Sequence, residues 1–211
     1  MSMVRPEFLQ QVEKRVRQSG ALLISDEVLT GFGRCGTLFA FQKADIQPDL
    51  IPLSKGLTGG FLPMGITMAK EKIFSEFVGE SANLTFWHGH SFTGNPLGCA
   101  AANASLDLLQ EHPNQYEDFE SRHLPHLKRI MTNPKVKKIR VTGTIAAFDL
   151  NVDGPCGYLN SSGQILKAQA MKNDVFIRPL GNVVYLLPPL CITDSQLEKC
   201  YWAINKGLEA I

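Results

Sequence analysis

The sequence has little net charge, no long apolar run and no patterned cysteines. Its 211 residues carry a formal net charge of +1, which gives no support to nucleic-acid or membrane-surface binding. No apolar run is long enough to span a bilayer, and the N-terminal residues contain no apolar signal-peptide core. Since 44% of the residues are hydrophobic, the chain is predicted to form an ordinary globular core.

The cysteines and histidines also lack the spacing of known metal sites. No two cysteines form a C-x-x-C pair, and the set is odd in number: Cys35, Cys99, Cys156, Cys191 and Cys200. Such a set is typical of reduced thiols in the cytoplasm rather than of a disulfide framework or a zinc site. The spacing of His88, His90 and His112 matches no common ligand set, so no metal is predicted.

Two apolar stretches end in residues of opposite charge. Residues 49–53 are predicted to be a buried strand of an α/β core, and Lys55 follows it at the start of a glycine-rich turn. Residues 22–28 are predicted to be another strand, which contains Asp26 and Glu27 near its end. Because open α/β sheets bind ligands at the carboxyl ends of their strands, we expect the acid and the lysine at one edge.

Taken alone, Lys55 would be interpreted as a surface lysine at the start of a loop, since most lysines are exposed. A desolvated lysine, however, favours its neutral amine, which is a nucleophile that can form a Schiff base. Pyridoxal phosphate needs such an amine for its aldehyde and a carboxylate for its pyridinium nitrogen. The pairing with Asp26 therefore favours a cofactor site over a solvated loop.

Three motifs occur in order: D-E-V-L-T-G-F-G-R at residues 26–34, S-K-G-L-T-G-G at 54–60 and H-G-H-S-F-T-G-N-P-L-G-C-A-A-A at 88–102. Together they resemble the class III pyridoxal-phosphate aminotransferases over essentially the whole chain. Within that class they resemble the diaminopelargonate synthases of biotin synthesis most. The resemblance implies pyridoxal 5'-phosphate as cofactor, S-adenosylmethionine as amino donor, 8-amino-7-oxononanoate as acceptor, and a homodimer.

The same resemblance implies roles for the cofactor-binding residues. Lys55 would carry the cofactor and act as the base, and Asp26 would hold the pyridinium nitrogen. Val28 would pack on the ring face, although plain core packing is an alternative. Ser91, with His90 beside it, would bind the cofactor phosphate in the partner subunit's site, where backbone N–H groups near a helix start suit an anion.

Two arginines and a glycine are the candidate substrate-binding residues. Arg178, in I-R-P-L-G, is either a solvated arginine on a hairpin or a bidentate clamp for a carboxylate, and the resemblance implies the clamp. Arg34 is implied to position substrate, with a structural ion pair as the alternative. Gly89 lies in the predicted phosphate loop and is assigned to substrate binding.

Strand–helix alternation predicts an α/β fold with a largely parallel sheet. The resemblance implies the C-terminal part of a fold-type I large domain at residues 1–110 and a small α+β domain at 111–211. Helices are predicted at residues 6–19, 70–78, 96–110, 115–131, 161–172 and 193–210, and further strands at 64–69, 144–150, 175–178 and 183–187.

Class III enzymes are much longer chains than this one. Their glycine–serine phosphate loop and their ring-stacking tyrosine, both in the N-terminal half, have no counterpart here. The sequence is therefore expected to be the C-terminal half of such an enzyme. Two alternatives stay open: another class III activity, such as an ω-amino acid or ornithine transaminase, and a non-catalytic remnant.

Overall fold

The computed structural model describes residues 2–152, 154 and 157–211, and Cys156 lies outside the described residues. The chain divides into two compact units. Residues 4–32 and 37–113 form the N-terminal unit, whereas residues 2–3, 33–36 and 114–211 form the C-terminal unit. Each unit has its own hydrophobic core.

The N-terminal unit contains α1 (Pro6–Ser19), β1 (Leu50–Leu53), β2 (Ile66–Ala69), α2 (Glu71–Phe74) and α3 (Pro96–Glu111). Helix α1 has the predicted bounds, because Pro6 suits the first helical turn and Gly20 ends the helix at a φ of 70°. Helix α2 is shorter than predicted and continues as the 3₁₀ turn Ser75–Phe77.

Strands β1 and β2 pair antiparallel, with Leu50 opposite Ala69 and Leu53 opposite Ile66. The prediction of a largely parallel sheet is wrong for this pair. The connection between the strands holds a 3₁₀ turn, Lys55–Thr58, and no crossover helix of the kind that parallel neighbours need. Residues 22–28 are also not a full strand, since they form a single parallel bridge, from Ile24 to Leu50.

Two apolar clusters make up the core of the N-terminal unit. In the first, one face of α1 covers the short segments around it; its members are Leu9, Val12, Val16, Leu23, Phe41, Ala44 and Ile46. The second lies around the 3₁₀ turn that follows β1 and is built on Phe32, Leu53, Leu57 and Ala102. All four residues of β2 are exposed, including 48% of Met68, so this side of the unit is not covered by the described residues.

The C-terminal unit contains α4 (Phe119–Ile130), β3 (Val136–Thr142), β4 (Ile145–Leu150), α5 (Ser162–Met171), β5 (Val183–Leu186) and α6 (Asp194–Glu209). Its sheet is antiparallel with the order β3-β4-β5, and the central strand β4 is the most deeply buried. Thr193 caps α6 through a reciprocal pair of hydrogen bonds with Gln196.

Two predicted elements of this unit differ in the structure. Residues 175–178 are not a strand, although burial alternates along them, with Val175 and Ile177 buried and Arg178 exposed. Strand β5 pairs with β4 instead, and Pro179 at the end of the segment has no N–H to donate. Helix α4 begins at Phe119 rather than at residue 115, after a hydrogen-bonded turn. No helix among the described residues has the length and apolarity needed to cross a membrane.

Candidate active site

The segment that carries Asp26 runs alongside β1. The amide nitrogen of Ser25 donates to the carbonyl oxygen of Leu50 at 3.0 Å, and that of Glu27 donates to Pro52 at 3.1 Å. This spacing of two residues on each side is that of parallel strands. Asp26 and Lys55 therefore follow neighbouring parallel segments at the same edge, as the sequence predicts.

Lys55 lies at the start of the 3₁₀ turn, where the chain leaves β1. Its φ is 45°, which is the left-handed region that non-glycine residues rarely adopt. Its side chain is exposed, and its Nζ makes no hydrogen bond or ion pair with any of the described residues. The amine is therefore available to a ligand, and the backbone holds it in a strained conformation of the kind that collects at functional sites.

Neighbouring hydroxyls hold the Lys55 turn in place. Ser105 on α3 donates to the carbonyl oxygen of Gly56 at 3.1 Å. Ser54 and Thr58 donate to the carbonyl oxygens of Met64 and Leu62, both at 2.6 Å. These three bonds join the turn to α3 and to the loop before β2, so they offset the strain at Lys55.

Asp26 has an exposed carboxylate whose Oδ1 accepts a hydrogen bond from the amide of Val28 at 2.9 Å. Its Oδ2 accepts none from the residues that the structure describes. This local bond orients the carboxylate and leaves one oxygen for a ligand. Val28 is half-buried.

Glu27 was not singled out from the sequence, yet it is the most buried acid at this edge, with no exposed surface. Its carboxylate accepts from the amide nitrogens of Ala40 at 3.0 Å and Phe41 at 2.9 Å, and from the hydroxyls of Ser25 and Thr30. These bonds tie residue 27 to residues 40–41, so Glu27 fixes the backbone next to Asp26. An acid directly after another, at the end of an apolar stretch, is the one signal that could have indicated it.

The predicted phosphate loop immediately precedes α3, and its residues Gly89, His90 and Ser91 are all exposed. The amide of His90 donates to the hydroxyl of Thr93 at 2.9 Å, and the amide of Phe92 donates to Nδ1 of His90 at 3.1 Å. These bonds make a compact turn in which Ser91 is exposed. No hydrogen bond to a described residue occupies that hydroxyl.

Arg34 belongs to the C-terminal unit, where its guanidinium is half-buried. Its Nη1 donates to the hydroxyl of Thr144 at 2.9 Å and to the carbonyl oxygen of Pro188. Burial lowers the pKa of Arg34, and the structure shows no ion pair between it and a described carboxylate. Of the two predicted alternatives, the structural ion pair is therefore absent from the described residues, and the charge remains for an external anion.

Arg178 also lies in the C-terminal unit, on the outer side of the extended segment 175–179. It makes no hydrogen bond or ion pair with the described residues, so its guanidinium is as accessible as a carboxylate clamp requires. A groove of about 410 Å³ in this unit lies elsewhere, between α4 and α6. Neither arginine lines it.

Comparisons with known proteins identify the family to which the chain belongs. A family model described as Aminotransferase class-III matches residues 1–208. The chain belongs to the class-III aminotransferases. This finding confirms the resemblance seen in the three motifs, and the structural neighbours confirm the predicted α/β fold class.

Among its relatives, the adenosylmethionine-8-amino-7-oxononanoate aminotransferase of Synechococcus elongatus is 53% identical over 211 residues, which are 100% of this chain and 50% of the relative. The enzyme of the same name from Geobacter sulfurreducens is 37% identical, over 99% of this chain and 48% of the relative. This class-III aminotransferase chain therefore spans about half the length of the curated relatives it matches.

Solved structures of aminotransferases have the same fold as this chain over about half of their length. The adenosylmethionine-8-amino-7-oxononanoate aminotransferase of Methanocaldococcus jannaschii matches with a TM-score of 0.83 and 31% identity, over 94% of this chain and 49% of that one. The acetylornithine aminotransferase of Elizabethkingia anophelis matches with a TM-score of 0.85 and 30% identity, over 98% and 50%. The fold match therefore does not distinguish between these two activities.

Class-III aminotransferases depend on pyridoxal phosphate, and the residues at the carboxyl edge fit one end of that cofactor. The free amine of Lys55 suits the aldehyde carbon, and the free Oδ2 of Asp26 suits the pyridinium N–H. The hydroxyl of Ser91 suits a phosphate oxygen. The described residues thus include an amine and a carboxylate of the kind that this cofactor requires.

Proposed function

We propose that this chain is the C-terminal half of an adenosylmethionine–8-amino-7-oxononanoate transaminase of biotin synthesis. The complete enzyme would transfer the amino group of S-adenosylmethionine to 8-amino-7-oxononanoate and give 7,8-diaminononanoate. The observation that carries the proposal is that Lys55 and Asp26 follow parallel segments at one edge, with the Lys55 amine and the Asp26 Oδ2 unbonded to any described residue. The 53% identity to the enzyme named for this reaction supports the choice of substrates.

Pyridoxal phosphate, when bound, supplies an aldehyde that accepts amino groups and a ring that withdraws electrons from the substrate carbon. Lys55 would hold the cofactor through its Nζ and, once displaced, take and return the proton at the carbon that bears the amino group. Asp26 Oδ2 would keep the pyridine nitrogen protonated, and Val28 would contact the ring face. Ser91 and His90 would bind the phosphate of the cofactor in the partner subunit's site.

The two arginines of the C-terminal unit would bind substrate. Arg178 presents an unpaired, exposed guanidinium that matches the carboxylate of the keto acid, and Arg34 presents a half-buried one. Gly89, in the loop with Ser91, would allow substrate to approach the backbone. Residues 1–110 would be the second half of the cofactor-binding large domain, and residues 111–211 the small domain.

We further propose that the complete enzyme is a cytoplasmic homodimer. Large apolar side chains of the N-terminal unit are exposed, including 88% of Phe61 and 81% of Trp87. We expect the partner subunit of the complete enzyme to cover part of this exposed apolar surface. The scattered cysteines support a reducing compartment.

The test uses the purified chain with and without the N-terminal half of the Synechococcus elongatus relative, expressed together. We expect the chain alone to bind pyridoxal phosphate weakly and to show no transaminase activity, since the phosphate loop and the stacking tyrosine are absent from its sequence. Together with the N-terminal half it should give a yellow dimer that uses S-adenosylmethionine. Activity of the chain alone would overturn the fragment hypothesis, and a preference for ornithine-type donors would overturn the choice of substrates.

A further inference from the structure

A continuous series of hydrogen bonds in the C-terminal unit connects α6 and α4 to Arg34. His123 on α4 has no exposed surface, and its two ring nitrogens each have one partner. Nδ1 lies 2.7 Å from the hydroxyl oxygen of Tyr201 on α6, and Nε2 lies 3.0 Å from the carbonyl oxygen of Thr144. His123 therefore joins α6 to the turn between β3 and β4.

The partners fix the direction of each bond. A carbonyl oxygen can only accept, so Nε2 of His123 carries the hydrogen and donates to Thr144. In the neutral ring Nδ1 then accepts, and the hydroxyl of Tyr201 donates to it. Burial lowers the pKa of His123 to about 4 and raises the pKa of Tyr201, so both groups are neutral near pH 7.

Thr144 holds Arg34 at both its backbone and its side chain. The amide and the hydroxyl of Thr144 donate to the carbonyl oxygen of Arg34 at 3.0 and 3.1 Å, and the same hydroxyl accepts from Nη1 of Arg34 at 2.9 Å. Nη1 is thereby occupied. Nε and Nη2 donate to no described residue, and together they form the edge of a guanidinium that grips a carboxylate bidentately.

A second bond from α4 holds the same turn. Glu120 lies one helical turn before His123, and its Oε1 accepts from the amide of Gly143 at 2.9 Å. Gly143 has a φ of 50°, and a Cβ there would lie 2.2 Å from the carbonyl carbon of Cys35. The turn thus packs directly on the backbone next to Arg34, so a shift of the turn would shift Arg34.

We infer that His123 and Tyr201 are positioning residues for Arg34. Through Thr144 they set the orientation of its guanidinium, so that the Nε–Nη2 edge stays free for an anionic ligand. Neither residue touches that ligand. The identity of the ligand as a substrate carboxylate rests on the function proposed above, but the positioning itself does not.

The first test measures the guanidinium directly in the 211-residue chain. Nitrogen-15 NMR of arginine side chains reports rotation about the Nε–Cζ bond, and histidine nitrogen shifts report the tautomer. We expect the Nε2–H tautomer at His123 and slow rotation at Arg34. Thr144→Val should speed that rotation by at least about 10-fold, since the bond it removes is to a charged group and contributes about 1.5–3 kcal/mol. Tyr201→Phe removes a bond between neutral groups, worth about 0.5–1.5 kcal/mol, so it should speed the rotation by at least about 2-fold.

Thr144→Ser keeps the hydroxyl and should keep the slow rotation. Tyr158→Phe removes the hydroxyl of an exposed tyrosine in the same unit and serves as the matched control. An Nδ1–H tautomer at His123 would overturn the inference. Arg34 rotation that is already fast in the unmodified chain, or that Tyr201→Phe leaves unchanged, would overturn it as well.

The second test uses the enzyme assembled with the N-terminal half. Tyr201→Phe should raise the KM for the substrate that Arg34 binds by at least about 2-fold and leave kcat nearly unchanged, because a displaced guanidinium weakens ground-state and transition-state binding alike. A freed guanidinium together with an unchanged KM would support the positioning and refute the substrate role proposed for Arg34. The two outcomes therefore separate this inference from the proposed function.

Discussion

The amide nitrogen of Glu27 donates to the carbonyl oxygen of Pro52 at 3.1 Å. Glu27 directly follows Asp26, and Pro52 lies three residues before Lys55, so this one bond sets the separation between the acid and the amine. The buried Glu27 carboxylate, with its two backbone donors at residues 40 and 41, keeps the segment from sliding along β1.

The first prediction concerns the Lys55 amine. In the assembled enzyme, borohydride reduction should attach the cofactor to the peptide that contains Lys55, because this amine is free at the sheet edge. Lys55→Ala should abolish the label, as read by mass spectrometry of the digested protein. Lys14→Ala, which removes an exposed lysine on α1, should leave it intact. A label retained on another peptide after Lys55→Ala would show that the assignment is wrong.

The second prediction concerns the Asp26 carboxylate. Asp26→Ala should retain some bound cofactor and lower turnover by about 100-fold, since removal of a charge that stabilises the transition state costs about 3 kcal/mol. Steady-state kinetics of the assembled enzyme would measure this effect. Asp107→Ala, which removes an exposed acid on α3, is the control and should leave turnover nearly unchanged. Normal turnover in Asp26→Ala would mean that a different group pairs with the pyridinium nitrogen.

The third prediction concerns the backbone at Lys55, whose φ is 45°. A side chain in this conformation costs about 1–2 kcal/mol, which glycine avoids. Lys55→Gly should therefore be more stable than Lys55→Ala by about 1 kcal/mol in urea unfolding, after its greater loss of chain entropy is allowed for.

At Lys72, within α2, the order should reverse, because helical backbone favours alanine over glycine. Equal stability of the two Lys55 variants would indicate that the backbone relaxes out of the left-handed region.

The fourth prediction concerns stability and pH. Burial lowers the pKa of His123 to about 4, whereas in the unfolded chain it titrates near its ordinary value of about 6.5. Between these values the unfolded chain binds a proton that the folded chain does not. The free energy of unfolding should thus be constant above this window, fall by about 3 kcal/mol as the pH decreases through it, and level off below.

Urea unfolding of the chain at a series of pH values would measure this slope, and His123→Gln should remove most of it. His126 contributes in the same direction, because burial lowers its pKa too, so a smaller slope should remain. The Asp49 carboxyl acts at lower pH. The Leu23 amide and Arg17 lower its pKa, and the stability this gives is lost as the pH falls below the ordinary range of an aspartate. An unchanged slope in His123→Gln would contradict the assignment.

Local patterns in the sequence were enough to predict the placement of Asp26 and Lys55. Each residue follows an apolar stretch, and the carboxyl ends of parallel strands lie at the same edge of a sheet. The antiparallel pairing of β1 and β2 was not predicted, because alternation of strands and helices does not reveal which connection lacks a crossover helix. For the same reason residues 175–178 were assigned to a strand, although their alternating burial occurs in an unpaired extended segment.

The support of Arg34 had no local signal at all. Thr144 lies 110 residues after Arg34, and Tyr201 lies 78 residues after His123. A buried histidine on a helix that also carries exposed charged residues looks in sequence like any other core residue. Contacts of this kind depend on tertiary packing, and single-sequence patterns report only neighbours along the chain.

The position of residues 33–36 limits where the coding sequence could be cut into two parts. They are grouped with residues 114–211, although they lie in the middle of the N-terminal unit's stretch of sequence. A break of the coding sequence at the junction of residues 113 and 114 would therefore separate residues 33–36 from the unit to which they belong. The downstream product would lack the Arg34 carbonyl oxygen that accepts from Thr144, so a transplanted C-terminal unit would need residues 33–36 to keep these bonds.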